Sequence, residues 1–105
     1  MKTATKSKPL PASLLNRMAD VLKVLAHPDR LKIVEYLDRE TTAPVFELMV
    51  AVSLPQAAVS QHLTQMRRVG LVSCERRGKE VWYQIADRSA LTILGCIRNN
   101  YGESS

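Results

Sequence analysis

LPQAAVSQHLTQMRRVG, residues Leu54 to Gly70, is apolar on one side and free of acid on the other. At about 100° per residue, Val59, Leu63 and Met66 fall on one stripe with i, i+4, i+7 spacing. That spacing predicts a helix packed on a core. The opposite stripe carries Ala57, Gln61, Thr64 and Arg68, with Ser60 and Gln65 beside it. A solvated helix face usually mixes acidic and basic residues. Here small side chains, amides and hydroxyls lead into two arginines, Arg67 and Arg68. Such a face is built to lie against something other than water.

On either side of this helix the punctuation is clear. Val45 to Val52 is a short apolar segment opened by Pro44, and Ser53 to Pro55 form a tight turn into the polar-faced helix. Gly70 follows the two arginines and stops it. The period then changes. LVSCERRGKEVWYQI, beginning at Leu71 and Val72, predicts two strands, with Val81, Tyr83 and Ile85 alternating against Trp82 and Gln84. Gly78 supplies the turn between them. Trp82 and Tyr83 are adjacent and therefore point to opposite faces, one of them toward the core.

Two helices precede this unit and one follows it. Ser13 is the expected cap of a first helix through Leu14, Met18, Val21, Leu22 and Leu25. Pro28 opens a second, with Asp29 in its first turn and Leu31, Ile33, Val34 and Leu37 on its buried side. The segment RETTAP is a connection. After Asp87 a last helix carries Ala90, Leu94, Ile97 and Tyr101 on one stripe, with Leu91 and Ile93 adding to it. The fold class is therefore mainly α, a winged helix-turn-helix in the order α-α-α-α-β-β-α. The domain spans residues 13–101, between a disordered basic tail, 1–12, and a disordered end, 102–105. Lys2, Lys6 and Lys8 lie in that tail with Pro9 and Pro11.

The whole chain is 105 residues with a formal net charge of +5, enough for one small domain. The excess is localised. Leu54 to Glu80 holds five basic residues, Arg67, Arg68, Arg76, Arg77 and Lys79, against Glu75 and Glu80. Asp29 to Glu40 is slightly acidic. Basic charge gathered on one stretch suits a phosphate-rich partner. Ala57 and Ser60 allow close approach to a major groove. Gln61 and Gln56 offer the paired donor and acceptor that fit adenine edges, and Thr64 offers a hydroxyl. Arg67, Arg68, Arg76, Arg77 and Lys79 suit phosphates. The expected partner is double-stranded DNA. A winged-helix module for protein or RNA contact is the alternative, disfavoured by the acid-free face. An enzyme is not expected, because no Gly-rich phosphate loop, activated nucleophile or paired carboxylates occur.

No apolar run is long enough to span a bilayer and the N-terminus has no apolar leader, so no membrane partner and a cytoplasmic location are expected. Cys74 and Cys96 do not make a disulfide framework. The first and last helices carry more apolar surface than a core this size can cover. A homodimer through Leu14, Met18, Val21, Leu91, Leu94, Ile97 and Tyr101 is expected.

LKVLAHPDRLKIVEYL, followed by the polar-faced helix and GLV…RRGK…WYQI, resembles the ArsR/SmtB family of bacterial winged-helix repressors, from about Met18 to Asp87. The resemblance implies a symmetric dimer on a palindromic operator, released by a signal. The family's metal ligands are usually thiolates near the third helix, or imidazoles and carboxylates on the last. Here the first place offers only Glu47, and the second reads Ser89 and Asn100 beside Asp87 and Glu103. No metal site and no cofactor are expected. His27 is expected to cap or pack at a helix junction, and His62 to be a half-buried packing residue. Cys74 and Cys96 are the candidates for redox sensing, with Arg76 and Arg77 near Cys74; a structural role for both is the simpler expectation.

Overall fold

A computed structural model describes residues 8–101. The expected tail positions Lys2 and Lys6 and the expected disordered end lie outside the described residues. Helix α1 runs Ala12–Leu25 and α2 Pro28–Glu40. Strand β1, Thr42–Pro44, leads into α3, Val45–Val52, and α4, Gln56–Arg68. The hairpin β2, Val72–Arg77, and β3, Glu80–Ile85, is followed by α5, Ser89–Tyr101.

Three features differ from expectation. RETTAP is more than a connection, because Thr42, Ala43 and Pro44 pair antiparallel with Gln84, Tyr83 and Trp82. The sheet therefore has three strands in the order β1-β3-β2. Three residues are too few to display alternation, and Pro44, lacking an N–H, is tolerated because β1 is an edge. Second, α1 begins at Ala12, inside the span expected to be tail. The Leu15 N–H already donates to the Pro11 carbonyl at 3.1 Å, so Pro11 is the cap residue and Ser13 lies in the first turn. Third, Val21 is completely buried and Leu94 nearly so within the chain itself. These two side chains face their own core and are unavailable to a partner.

The core is one cluster. Ile33, Val34 and Leu37 of α2 meet Leu48 and Val52 of α3, Val59, Leu63 and Met66 of α4, Leu71 and Val72, and Ala90 of α5. Full burial of each large aliphatic side chain stabilises by about 1.5–3 kcal/mol. Two left-handed residues set the ends of the central helices. Ser53 closes α3 at φ 56°, with the Leu54 N–H on the Met49 carbonyl at 3.2 Å. Gly70 closes α4 at φ 80°, with the Leu71 N–H on the Met66 carbonyl at 2.9 Å. Tyr83 packs against the core, and Trp82, on the other face, lies under Arg77 with 4.6 Å between guanidinium and ring.

Candidate nucleic-acid interface

The orientation of α4 is fixed by its buried stripe. Val59, Leu63 and Met66 are wholly inaccessible, so the opposite face must point out. Gln56, Ala57, Gln61, Thr64, Arg67 and Arg68 are exposed and Ser60 is half-buried. Pro55 caps the helix without a side-chain acceptor, and the first turn has no acid. Its leading N–H groups and the positive end of the helix dipole are left for an anion.

Hydrogen bonds refine the expected contacts. The Thr64 hydroxyl donates to the Ser60 carbonyl at 2.8 Å, so outward it presents a methyl group and lone pairs in place of a donor. Arg67 turns back and donates to the Cys74 sulfur at 3.1 Å. Arg68 makes no side-chain hydrogen bond or ion pair with another described residue. In the wing, Arg77 donates to Glu75 at 3.0 Å while stacked on Trp82. Arg76 has one long contact, 3.5 Å to the Gly78 carbonyl. Arg77 pairs with Glu80 in register, leaving Gly78, at φ 64°, and Lys79 as the two turn residues. Arg76 and Lys79 are thus the least committed basic groups of the wing.

The histidines meet. His27 is the N-cap of α2, its Nδ1 accepting the Asp29 N–H at 3.2 Å. His62, half-buried on α4, stands edge-on to it with ring centroids 4.6 Å apart. Arg30, which the sequence did not single out, bridges the helices: its Nε donates to His62 Nδ1 at 3.1 Å and its Nη1 to the Val24 carbonyl at 3.1 Å. Burial, then the neighbouring His27 and Arg30, holds the His62 imidazole below its ordinary range, with Asp29 opposing.

The two places where the family resemblance would put a metal hold committed groups. Glu47 accepts the Tyr36 hydroxyl at 3.0 Å. Asp87 caps α5 by accepting the Ser89 N–H at 2.9 Å and faces Arg17 at 3.2 Å. That backbone bond foremost, with Arg17 adding and burial opposing, keeps the Asp87 carboxyl below the usual range. Asn100 donates to the Cys96 carbonyl, and Glu103 lies outside the described residues. Neither place gathers a transition-metal donor set among the described residues. Both cysteines are free, Cys74 half-buried and Cys96 exposed.

Among polar neighbours such as Arg17, Asp20 and Arg98, α1 and α5 also expose large apolar side chains. Leu14, Leu15, Leu22, Ile97 and Tyr101 are exposed, while Met18 and Leu91 are partly buried. Leu22, Leu25, Ala26, Leu31, Ile93 and Ile97 line a shallow groove of about 190 Å³.

A short helix, a tight turn, an outward polar helix and a basic hairpin define the winged helix-turn-helix class. The pattern of bacterial regulatory proteins of the arsR family matches residues 27–73. The chain is 43% identical over 86 residues to the "HTH-type transcriptional repressor SmtB" of Mycobacterium tuberculosis, a match covering 82% of this chain and 63% of that protein. It is 37% identical over 87 residues to "Nodulation protein NolR" of Rhizobium meliloti, covering 83% of this chain and 70% of that one. The crystal structure of NolR from Sinorhizobium fredii superposes with a TM-score of 0.78 at 33% identity, over 93% of this chain and all of that one. The chain belongs to the ArsR family of bacterial regulatory proteins. That family consists of regulators, in line with the expectation that the chain is not an enzyme.

Proposed function

We propose that the protein is a homodimeric transcriptional repressor that binds a palindromic operator in double-stranded DNA. The carrying observation is the acid-free face of α4, exposed at Gln56, Ala57, Gln61, Thr64 and Arg68 while Val59, Leu63 and Met66 are sealed in the core. In this proposal α4 enters a major groove, Gln61 and Gln56 meet base edges, and Arg68, Arg76 and Lys79 meet phosphates. Arg67 and Arg77 join them only on leaving Cys74 and Glu75. Two relatives named as repressors, SmtB and PagR of Bacillus anthracis, support operator binding over a protein- or RNA-binding module.

The dimer is proposed through the exposed apolar residues of α1 and α5, chiefly Leu14, Leu22, Ile97 and Tyr101. Among the described residues no helix is long and apolar enough to cross a membrane, which fits action in the cytoplasm, where an operator would be. For redox control Cys74 is better placed than Cys96, because its sulfur holds Arg67 of α4.

Titration of labelled duplexes over a range of salt tests the proposal. Gln61→Ala should relax preference at one base pair by ~1–3 kcal/mol. Arg68→Ala should weaken all duplexes alike and flatten the log-affinity against log-salt slope by about 0.9. Unchanged affinity in both variants defeats it.

A further inference from the structure

We infer that His27, Asp29 and His62 form a binding site for a first-row transition ion of the zinc type, which enters by displacing Arg30. Among the described residues this is the one group of three or more His, Cys, Asp or Glu side chains whose donor atoms gather, all within 4.8 Å of one another. All three are half-buried. Two imidazoles and a carboxylate suit zinc, cobalt or nickel, with water completing the shell. Bonds of about 2.0–2.2 Å to a tetrahedral ion put donors roughly 3.3–3.6 Å apart. The set must therefore close by about 1 Å. The donors come from two elements, the first turn of α2 and the middle of α4, so an ion here would clamp α2 to α4.

The hydrogen bonds define what the ion must replace. Arg30 Nε donates to His62 Nδ1, and the Asp29 N–H donates to His27 Nδ1. An ion at His62 Nδ1 takes the lone pair that Arg30 uses. An ion at Nε2 leaves the ring proton on Nδ1, where Arg30 again has nothing to donate to. Either way metal and Arg30 exclude each other at His62, and His27 gives up its cap bond by the same reasoning. The site already accommodates one positive charge, so exchanging a guanidinium for a divalent ion adds a single net charge. The N-terminus of α2 opposes a cation and Asp29, itself 3.8 Å from Lys32, offsets that. The site is distinct from both places the family resemblance suggested, and it does not depend on DNA binding.

The test is Co²⁺ titration of the full chain followed by Zn²⁺ competition. One Co²⁺ per chain is expected, with visible d–d bands and without an intense sulfur-to-cobalt band. His62→Gln and His27→Gln should each weaken binding by more than the about 10–100-fold that even an outer-sphere partner is worth. Arg30→Met should tighten it about tenfold, the worth of one hydrogen bond to a charged group. That gain cannot arise from a damaged fold, so it guards against variants that merely misfold. A Cys74→Ser, Cys96→Ser double variant should bind as the parent does. Absence of stoichiometric binding, a sulfur-to-cobalt band, or affinity indifferent to His62 or to Arg30 would overturn the inference.

Discussion

Helices α4 and α5 are both thirteen residues long, yet they leave opposite kinds of surface. The three large apolar residues on the stripe of α4 are wholly inaccessible, and what it exposes is amide, methyl, hydroxyl and guanidinium. On α5 the stripe is split: Ala90 and Leu94 are buried, whereas Ile97 is 42% and Tyr101 85% exposed. One helix is finished by its own chain and turns a polar face outward. The other is unfinished. A polar outer face with no acid asks for a charged partner, and an apolar one asks for another apolar face.

The sharpest way to break this contrast is one substitution type on each helix. Ile97→Glu should convert dimers to monomers in sedimentation velocity, since an unpaired buried charge costs about 3–5 kcal/mol. Gln61→Glu should leave the dimer intact while repelling every duplex. If Ile97→Glu sediments as the parent does, the α5 half of the contrast is wrong. Leu63→Ala comes next. Its side chain is inaccessible within one chain, so urea unfolding should show a loss of about 2–5 kcal/mol.

A smaller effect belongs to Asp87, which caps α5. Asp87→Ala should cost about 0.5–2 kcal/mol near neutrality. Its carboxyl is held below the ordinary range in the folded chain, so the unfolded chain binds the proton more readily. The stabilisation is therefore present at neutral pH and lost as pH falls below about 4 toward the folded value. Parent and variant stabilities should converge in acid; a gap that stays constant would assign the cost to packing. The smallest effect is expected at Glu75. Glu75→Gln releases Arg77 and should strengthen duplex binding by less than about 1 kcal/mol, with a steeper salt dependence.

The sequence revealed α4 and the hairpin most fully, because their periods are strict and Gly70 and Gly78 mark their ends. It located β1 poorly, since Thr42–Pro44 is too short for alternation and ends in a proline. The edges of the apolar stripes were blurred for a geometric reason. Val21 and Leu22 differ by about 100° around α1. One is sealed inside and the other is half exposed, and composition cannot separate them. The His27, Arg30, His62 contact left no local signal at all, as Arg30 and His62 lie 32 residues apart. Arg17 and Asp87, 70 apart, are a further case.

Thr42–Pro44 also has a mechanical consequence. By pairing with Trp82–Gln84 it ties the base of the hairpin to the segment entering α3. The base of the wing is thereby tied to the helix-turn-helix unit, while Arg76 to Val81 extend beyond that pairing. If α4 and the wing sit on a duplex as proposed, a wing tied in this way would sense groove width as well as base identity, so duplexes of equal sequence at the contacted positions but different stiffness between them should bind unequally.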